Sequence, residues 1–310
     1  MPDRPRSNSI STKQLRIATL AKQITDGAIT SLSHHMDLDW LMEATKKTRK
    51  KGAVGVDGVT AKEYAENLED NLQSLLNRAK SGRYRAPPVR RAYIPKANKN
   101  ELRGIGIPGY EDKILQRAVK MLIEPVYEQE FYDFSYGFRP QRSPHHALKA
   151  LNDGLWDMDG GWVLEVDVQS FFDDIVHEKL RDLLCQRVTD RVTIRLIGKW
   201  LRAGVMEDGV VKRSTTGSPQ GGVISPLLAN IYLHEVLDKW WVNEILPRLD
   251  GKAFAVRYAD DFVLVFKHRS DAERVQAVLP KRFERFGLTL HPQKTRLIRF
   301  TRPPPRQKWS

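Results

Sequence analysis

Tyr258-Ala259-Asp260-Asp261 sets two adjacent carboxylates between the apolar runs Phe254-Ala255-Val256-Arg257 and Phe262-Val263-Leu264-Val265-Phe266. β-Branched and aromatic residues on both sides predict two strands, with the acids at or beside the tip of a hairpin. Carboxylates held rigidly at a strand turn are what hard divalent cations require. An Asp-Asp pair is also an ordinary solvated turn, so its meaning depends on what else the chain supplies. Trp162-Val163-Leu164-Glu165-Val166-Asp167-Val168 supplies a third acid near the end of an otherwise apolar strand, where a carboxylate is costly to bury without a cation or hydrogen bonds. Asp167 is therefore the natural third ligand. Its other role, capping the helix that follows, is better filled by Asp173 and Asp174. Phe171 and Phe172 leave the same strand, and alternation sends them in different directions, so that one of them is core. The glycine and proline loop 216–226 opens a long helix, and its backbone can approach a ligand closely, although its spacing is not that of a phosphate loop.

The elements that must position these groups can be read from periodicity. Residues 1–12 form a basic arm, and a short helix is expected over 15–29, with order beginning near Leu15. A helix over 37–50 stops at Gly52. Thr60 caps another helix, whose Tyr64, Leu68, Leu72, Leu75 and Leu76 make one buried stripe. A strand follows at 89–94, carrying Arg90 and Arg91, and then a helix at 111–130. The second half predicts strands at 162–168, 288–290 and 296–300 around the hairpin, and helices at 174–185, 192–203, 226–245 and 271–286. Mixed in this order, they read as an α+β fold, a sheet with helices packed on one face.

Composition narrows the function. The 310 residues hold 51 Lys and Arg against 38 Asp and Glu, a net charge of +13, which favours a polyanionic partner. Residues 80–120 concentrate eleven basic side chains against Glu101, Glu111 and Asp112, interleaved with Tyr84, Tyr93 and Tyr110, and this raises nucleic acid above a merely solvated face. Cys185 is the single cysteine, which excludes an intramolecular disulfide and a cysteine-rich zinc site and fits a reducing compartment. No apolar run approaches a membrane span and the polar start lacks a signal-peptide core, so a soluble, cytoplasmic protein is expected.

Asp167-Val168-Gln169-Ser170-Phe171-Phe172, the run Ser218-Pro219-Gln220-Gly221-Gly222-Val223-Ile224-Ser225-Pro226-Leu227-Leu228-Ala229-Asn230-Ile231-Tyr232-Leu233, and Tyr258-Ala259-Asp260-Asp261 follow the order and spacing of a reverse transcriptase palm. The chain resembles a group II intron-encoded reverse transcriptase and maturase. Val54-Gly55-Val56-Asp57-Gly58-Val59-Thr60 resembles the N-terminal extension motif of that family, and Ser135-Tyr136-Gly137-Phe138-Arg139-Pro140 its fingers-to-palm signature, so the likeness runs from about 38 to 300. It implies right-hand polymerase fingers and palm, with an antiparallel palm sheet. Residues 1–36 would be the arm and short helix, 37–155 the fingers with the N-terminal extension, and 156–310 the palm with the catalytic hairpin. The implied activity is RNA-directed DNA synthesis by two-metal nucleotidyl transfer, together with binding of intron RNA.

The resemblance also assigns roles. Asp167 and Asp260 would hold two Mg2+ ions, with Mn2+ as a substitute, Asp261 completing the acidic cluster and the Val168 carbonyl as a further ligand. Lys96 and Arg103 match the residues that grip the incoming triphosphate. Phe172, beside Phe171, takes the place of the aromatic gate against ribonucleotides, and Gln220 lies in the minor-groove track. Lys294 matches the lysine proposed to protonate pyrophosphate. Partners would be an RNA template, a DNA or RNA primer, dNTPs and intron RNA, with no membrane and with a homodimer left open. Gln169 departs from the family, which usually has a lysine or arginine there. No primer grip, thumb, maturase or endonuclease segment is recognised after Phe300, so a fingers and palm fragment or a form with a borrowed thumb is expected. Two other readings stay open: an RNA-binding splicing factor without polymerase role, and a reverse transcriptase recruited to phage defence or CRISPR adaptation.

Overall fold

The computed structural model describes residues 9–95, 102–207, 209–212, 214–217 and 221–301. In chain order the elements begin with helices α1 (Ile10–Gln23), α2 (Leu38–Lys47), α3 (Ala61–Ala65) and α4 (Leu68–Ser81). Strands β1 (Val89–Pro95) and β2 (Leu102–Ile107) lead to α5 (Tyr110–Tyr127) and α6 (Pro144–Met158). Then come β3 (Gly161–Val166), β4 (Val168–Gln169), α7 (Phe171–Asp174), α8 (His177–Arg187), α9 (Arg191–Leu201), β5 (Val205–Glu207) and β6 (Val210–Lys212). The last third comprises α10 (Ser225–Leu233), β7 (Ala253–Tyr258), β8 (Asp261–Phe266), α11 (Arg269–Glu284), β9 (Thr289–Leu290) and β10 (Arg296–Phe300). Two compact units share the chain: one holds Met1–Glu130 and Val176–Leu228, the other Phe131–Ile175 and Ala229–Ser310.

The first unit is built around α5. Its Ile114, Leu115, Ala118, Val119 and Leu122 are fully buried, and the buried Trp40 indole of α2 donates to the Ala118 carbonyl at 2.9 Å. Thr60 and Glu63 cap each other's backbone at the start of α3, as the threonine predicts. The expected long helix after Thr60 divides into α3 and α4, because the chain turns between Glu66 and Asn67 before the leucine stripe begins. A four-stranded sheet, in the order β2-β1-β5-β6, completes the unit. Of its strands only β1 is legible in the sequence, and β2 pairs with it antiparallel, Ile94 opposite Arg103.

The second unit contains an antiparallel sheet in the order β10-β3-β8-β7 and the two-residue ladder β4–β9. Leu164, Leu264 and Phe266 are fully buried, and Phe262 stacks on Phe283 of α11. Helices do not keep to one face. Strand alternation puts Phe254 opposite to Ala255 and Arg257, and its ring packs against Gly154 of α6, where any Cβ would meet it at 2.5 Å. The helix α6, unrecognised in the sequence, thus covers part of the second face.

Several boundaries shift for local reasons. α1 begins at Ile10, where the Ser9 hydroxyl accepts from the Thr12 N–H, earlier than Leu15. The strand expected through 168 breaks after Val166, and Val168 pairs instead with Leu290. Asp173 and Asp174 cap nothing: they lie inside the helical turn α7, and α8 begins after Val176 without a side-chain cap. The helix after the glycine loop continues past α10 with π-type windings at His234–Asp238 and Trp241–Ile245.

Candidate active site

Tyr258 pairs with Asp261, so Ala259 and Asp260 form the two-residue turn of the β7–β8 hairpin. Ala259 takes the left-handed conformation, φ 59°, a strained choice for a residue with a Cβ. Asp260 is half-buried at the turn, and Asp261 is exposed at the head of β8. β3 lies beside β8, with Val166 opposite Phe262, so the residue after β3, Asp167, arrives next to this turn. Its carbonyl accepts from the His291 N–H at 2.8 Å, which fixes the backbone where the strand breaks.

A cleft of 470 Å³ gathers the chemistry. Asp167, Tyr258 and Asp261 line it together with Lys294 and Gln293, Glu165 and Arg296 lie farther along the sheet face, and Ala147, Leu148 and Leu151 of α6 form an apolar wall. Lys294 Nζ stands 3.1 Å from Asp167 Oδ2. The two residues meet because β4–β9 brings the segment after β9 against the end of β3. Arg296 pairs with Glu165 at 2.7 Å on neighbouring strands. Asp167, Asp261 and Lys294 are therefore brought into one cleft. Among the described residues the carboxylates of Asp167, Asp260 and Asp261 do not all close to within 4.8 Å of one another. Asp260 and Asp261 at the turn and Asp167 at the end of β3 offer the hard carboxylate oxygens that a divalent cation such as Mg2+ takes, with the Lys294 ammonium meanwhile paired to Asp167.

Phe171 is core, 2% exposed, whereas Phe172 is half-buried, its ring edge-on to Phe171 at 5.4 Å. One of the two is core as expected, but through the helical turn α7 rather than strand alternation. Val168 lies buried in the β4–β9 ladder. Arg103 is exposed on β2, while Lys96 and Gln220 lie outside the described residues. Both ends of the loop that carries Gln220 are pinned. Thr216 bridges to Val176 and His177 Nε2 donates to the Gly217 carbonyl at 2.6 Å. At the far end the buried Gln116 accepts from the Val223 N–H at 2.8 Å and the Ile224 N–H at 3.4 Å.

Residue type alone does not single out Gln116 or Arg257. Arg257 carries a signal nonetheless, as a cation inside an apolar strand, which must find a partner if the strand is buried. It is completely buried, and Asp238 holds it with bonds of 2.8 and 2.5 Å. Burial, the largest single influence, pushes the Asp238 carboxyl up, but the Arg257 guanidinium and His234 together outweigh it and hold the group below its ordinary value.

The profile of the reverse transcriptase (RNA-dependent DNA polymerase) family matches residues 94–307, more than half of the chain. The chain belongs to this family. It is 40% identical to protein YkfC of Escherichia coli over 262 residues, 74% of this chain and 68% of that one. It is 38% identical to the group II intron-encoded protein LtrA of Lactococcus lactis over 215 residues, 69% of this chain but only 31% of that protein. A 26% identical relative is the nuclear intron maturase 2 of Arabidopsis thaliana, matched over 44% of this chain and 24% of that one. This reverse transcriptase domain thus has group II intron-encoded proteins among its relatives, and the family as a whole uses divalent metals. No helix among the described residues is long and apolar enough to cross a membrane.

Proposed function

We propose that the chain copies RNA into DNA, using Asp167, Asp260 and Asp261 to hold two Mg2+ ions, and that it also binds intron RNA as part of a maturase. The observation that carries this reading is the cleft in which Asp167, at the end of β3, and Asp261, at the β7–β8 turn, face one space with Lys294. Ions bound there would lower the pKa of the primer 3′ hydroxyl and stabilise the pyrophosphate that leaves when the α-phosphate is attacked. Lys294, paired with Asp167 in the same cleft, would give a proton to that leaving group. Lys96 and Arg103 would grip the triphosphate. Half-buried Phe172 would fill the space of a ribose 2′ hydroxyl, and Gln220 would follow the minor groove of the nascent pair. Relatives named for introns and maturases support intron RNA as the bound partner.

Primer extension on an RNA template tests the reading. Wild-type protein should incorporate dNTPs with Mg2+ and discriminate against rNTPs. Asp260→Ala should lose more than about 100-fold of the rate, since a metal ligand supplies several kcal/mol of transition-state stabilisation. Equal activity of the variant, or none in wild type with either metal and either nucleotide set, would remove the proposal. The splicing-factor alternative predicts intron binding and splicing unchanged by the same substitution.

A further inference from the structure

We infer that Arg257 is a positioning residue for the Asp260 turn, through a buried clamp that joins three separate segments. The inference rests on the polymerase reading for its kinetic consequence, though its geometry stands without it. One guanidinium makes all the links: Nε and Nη2 donate to the two oxygens of Asp238, and Nη1 donates to Asn230 Oδ1 at 2.9 Å and to the Ala259 carbonyl at 3.1 Å. The last bond falls on the left-handed residue immediately before Asp260. Asn230 in turn donates to the Gly137 carbonyl at 2.6 Å, and Gly137 lies so close to the hairpin that a Cβ there would overlap the Ala259 nitrogen. The Arg257 main chain exchanges bonds with the same segment, its N–H donating to Phe134 and its carbonyl accepting from Tyr136, each at 2.8 Å. The turn is thereby held from its inner side by a planar, five-donor group, all of it buried, that fixes direction as well as distance. A lysine could neutralise Asp238 but could not also reach Asn230 and the Ala259 carbonyl in this fork.

This geometry makes the clamp a device that keeps an unfavourable backbone conformation where the carboxylate of Asp260 is needed. Asn230→Ala tests it without leaving a buried charge unpaired, since Asp238 remains on Arg257. Hydrogen–deuterium exchange of the intact protein should show the largest acceleration in peptides covering 253–266 and 134–139, together with a lowered melting temperature, because the buried Gly137 carbonyl loses its donor. In primer extension the same variant should need several-fold more Mg2+ for half-maximal rate and lose at least tenfold in kcat, with dNTP KM within twofold. Ala259→Gly, which removes the steric cost of the left-handed turn, should recover part of the lost kcat in the Asn230→Ala background. Unchanged exchange at the hairpin, or a kcat loss with Mg2+ dependence unaltered, overturns the inference. Failure of the polymerase reading shows differently: wild type would be inactive while exchange at the hairpin still responds to Asn230→Ala.

Discussion

The pair Lys294–Asp167, proposed to serve the chemistry, contributes little to folding. Lys294 is 61% exposed, so water screens the pair and its worth to stability is about 0–1 kcal/mol. Lys294→Ala should leave the melting temperature within a degree or two but lower kcat for dNTP addition, with dNTP KM little changed. A melting shift without a kcat effect would assign the lysine to structure alone. Phe172→Ala should admit rNTPs, measured as the ratio of kcat/KM for dNTP and rNTP, and an unchanged ratio removes Phe172 from sugar selection. A different residue bears on how stability varies with pH. Burial, reinforced by the nearby Asp57 carboxylate, pushes the Asp112 carboxyl up to about 7, and its Oδ1 has no hydrogen-bond partner. The folded form then binds a proton that the unfolded chain, with an ordinary pKa of 3.8, has released. Stability from this group is present below pH 4 and declines up to pH 7, by at most about 1.4 kcal/mol per pH unit. Asp112→Asn should therefore raise the melting temperature at pH 8 more than at pH 4, and an equal effect at both would exclude this titration.

Among the elements, those legible in the sequence carry their own periodic signal. The α5 stripe and the β7–β8 hairpin are legible because burial of one helix face, or alternation about a turn, repeats within a few residues. β5 and β6 have three residues each, too few for alternation to show, and β2 (Leu102–Ile107) is interrupted by Gly104 and Gly106, whereas α6 carries Ala147, Leu151, Leu155 and Met158 at helical spacing and is open to the same reading as α5. The acids of the site are readable because a carboxylate beside an apolar strand needs a reason. The partners that support them are less so, since Lys294 reaches Asp167 only through the β4–β9 ladder. Gln116 illustrates the cost of such a hidden partner. One side-chain oxygen satisfies two N–H groups at the start of the helix after the glycine loop, and the residue is 4% exposed. Gln116→Ala should destabilise by about 1–3 kcal/mol, the penalty for buried donors left unpaired. Denaturant unfolding measures this, and a loss below about 0.5 kcal/mol would mean that water replaces the side chain.

For the molecule as a whole, charge bears on the proposed binding of a nucleic acid template. A net charge of +13, with a dense basic stretch at 80–120, is far more than solubility requires and acts over a Debye length of about 8 Å at physiological ionic strength. Nucleic acid binding by such a surface releases condensed counterions, so affinity falls as a power of salt concentration. If six phosphates are engaged, raising salt from 50 to 200 mM should weaken RNA binding by about 10³-fold. Arg85 and Arg103 are both exposed and far from any burial cost. Replacing each by Gln should lower the slope of log K against log salt by about one for every phosphate that is no longer neutralised, with little change in melting temperature. Arg103→Gln should additionally raise dNTP KM in primer extension, because that side chain is assigned to the triphosphate, whereas Arg85→Gln should not. Fluorescence anisotropy over a salt series separates the two effects. Binding that is insensitive to salt would place recognition in shape and stacking rather than in this basic surface.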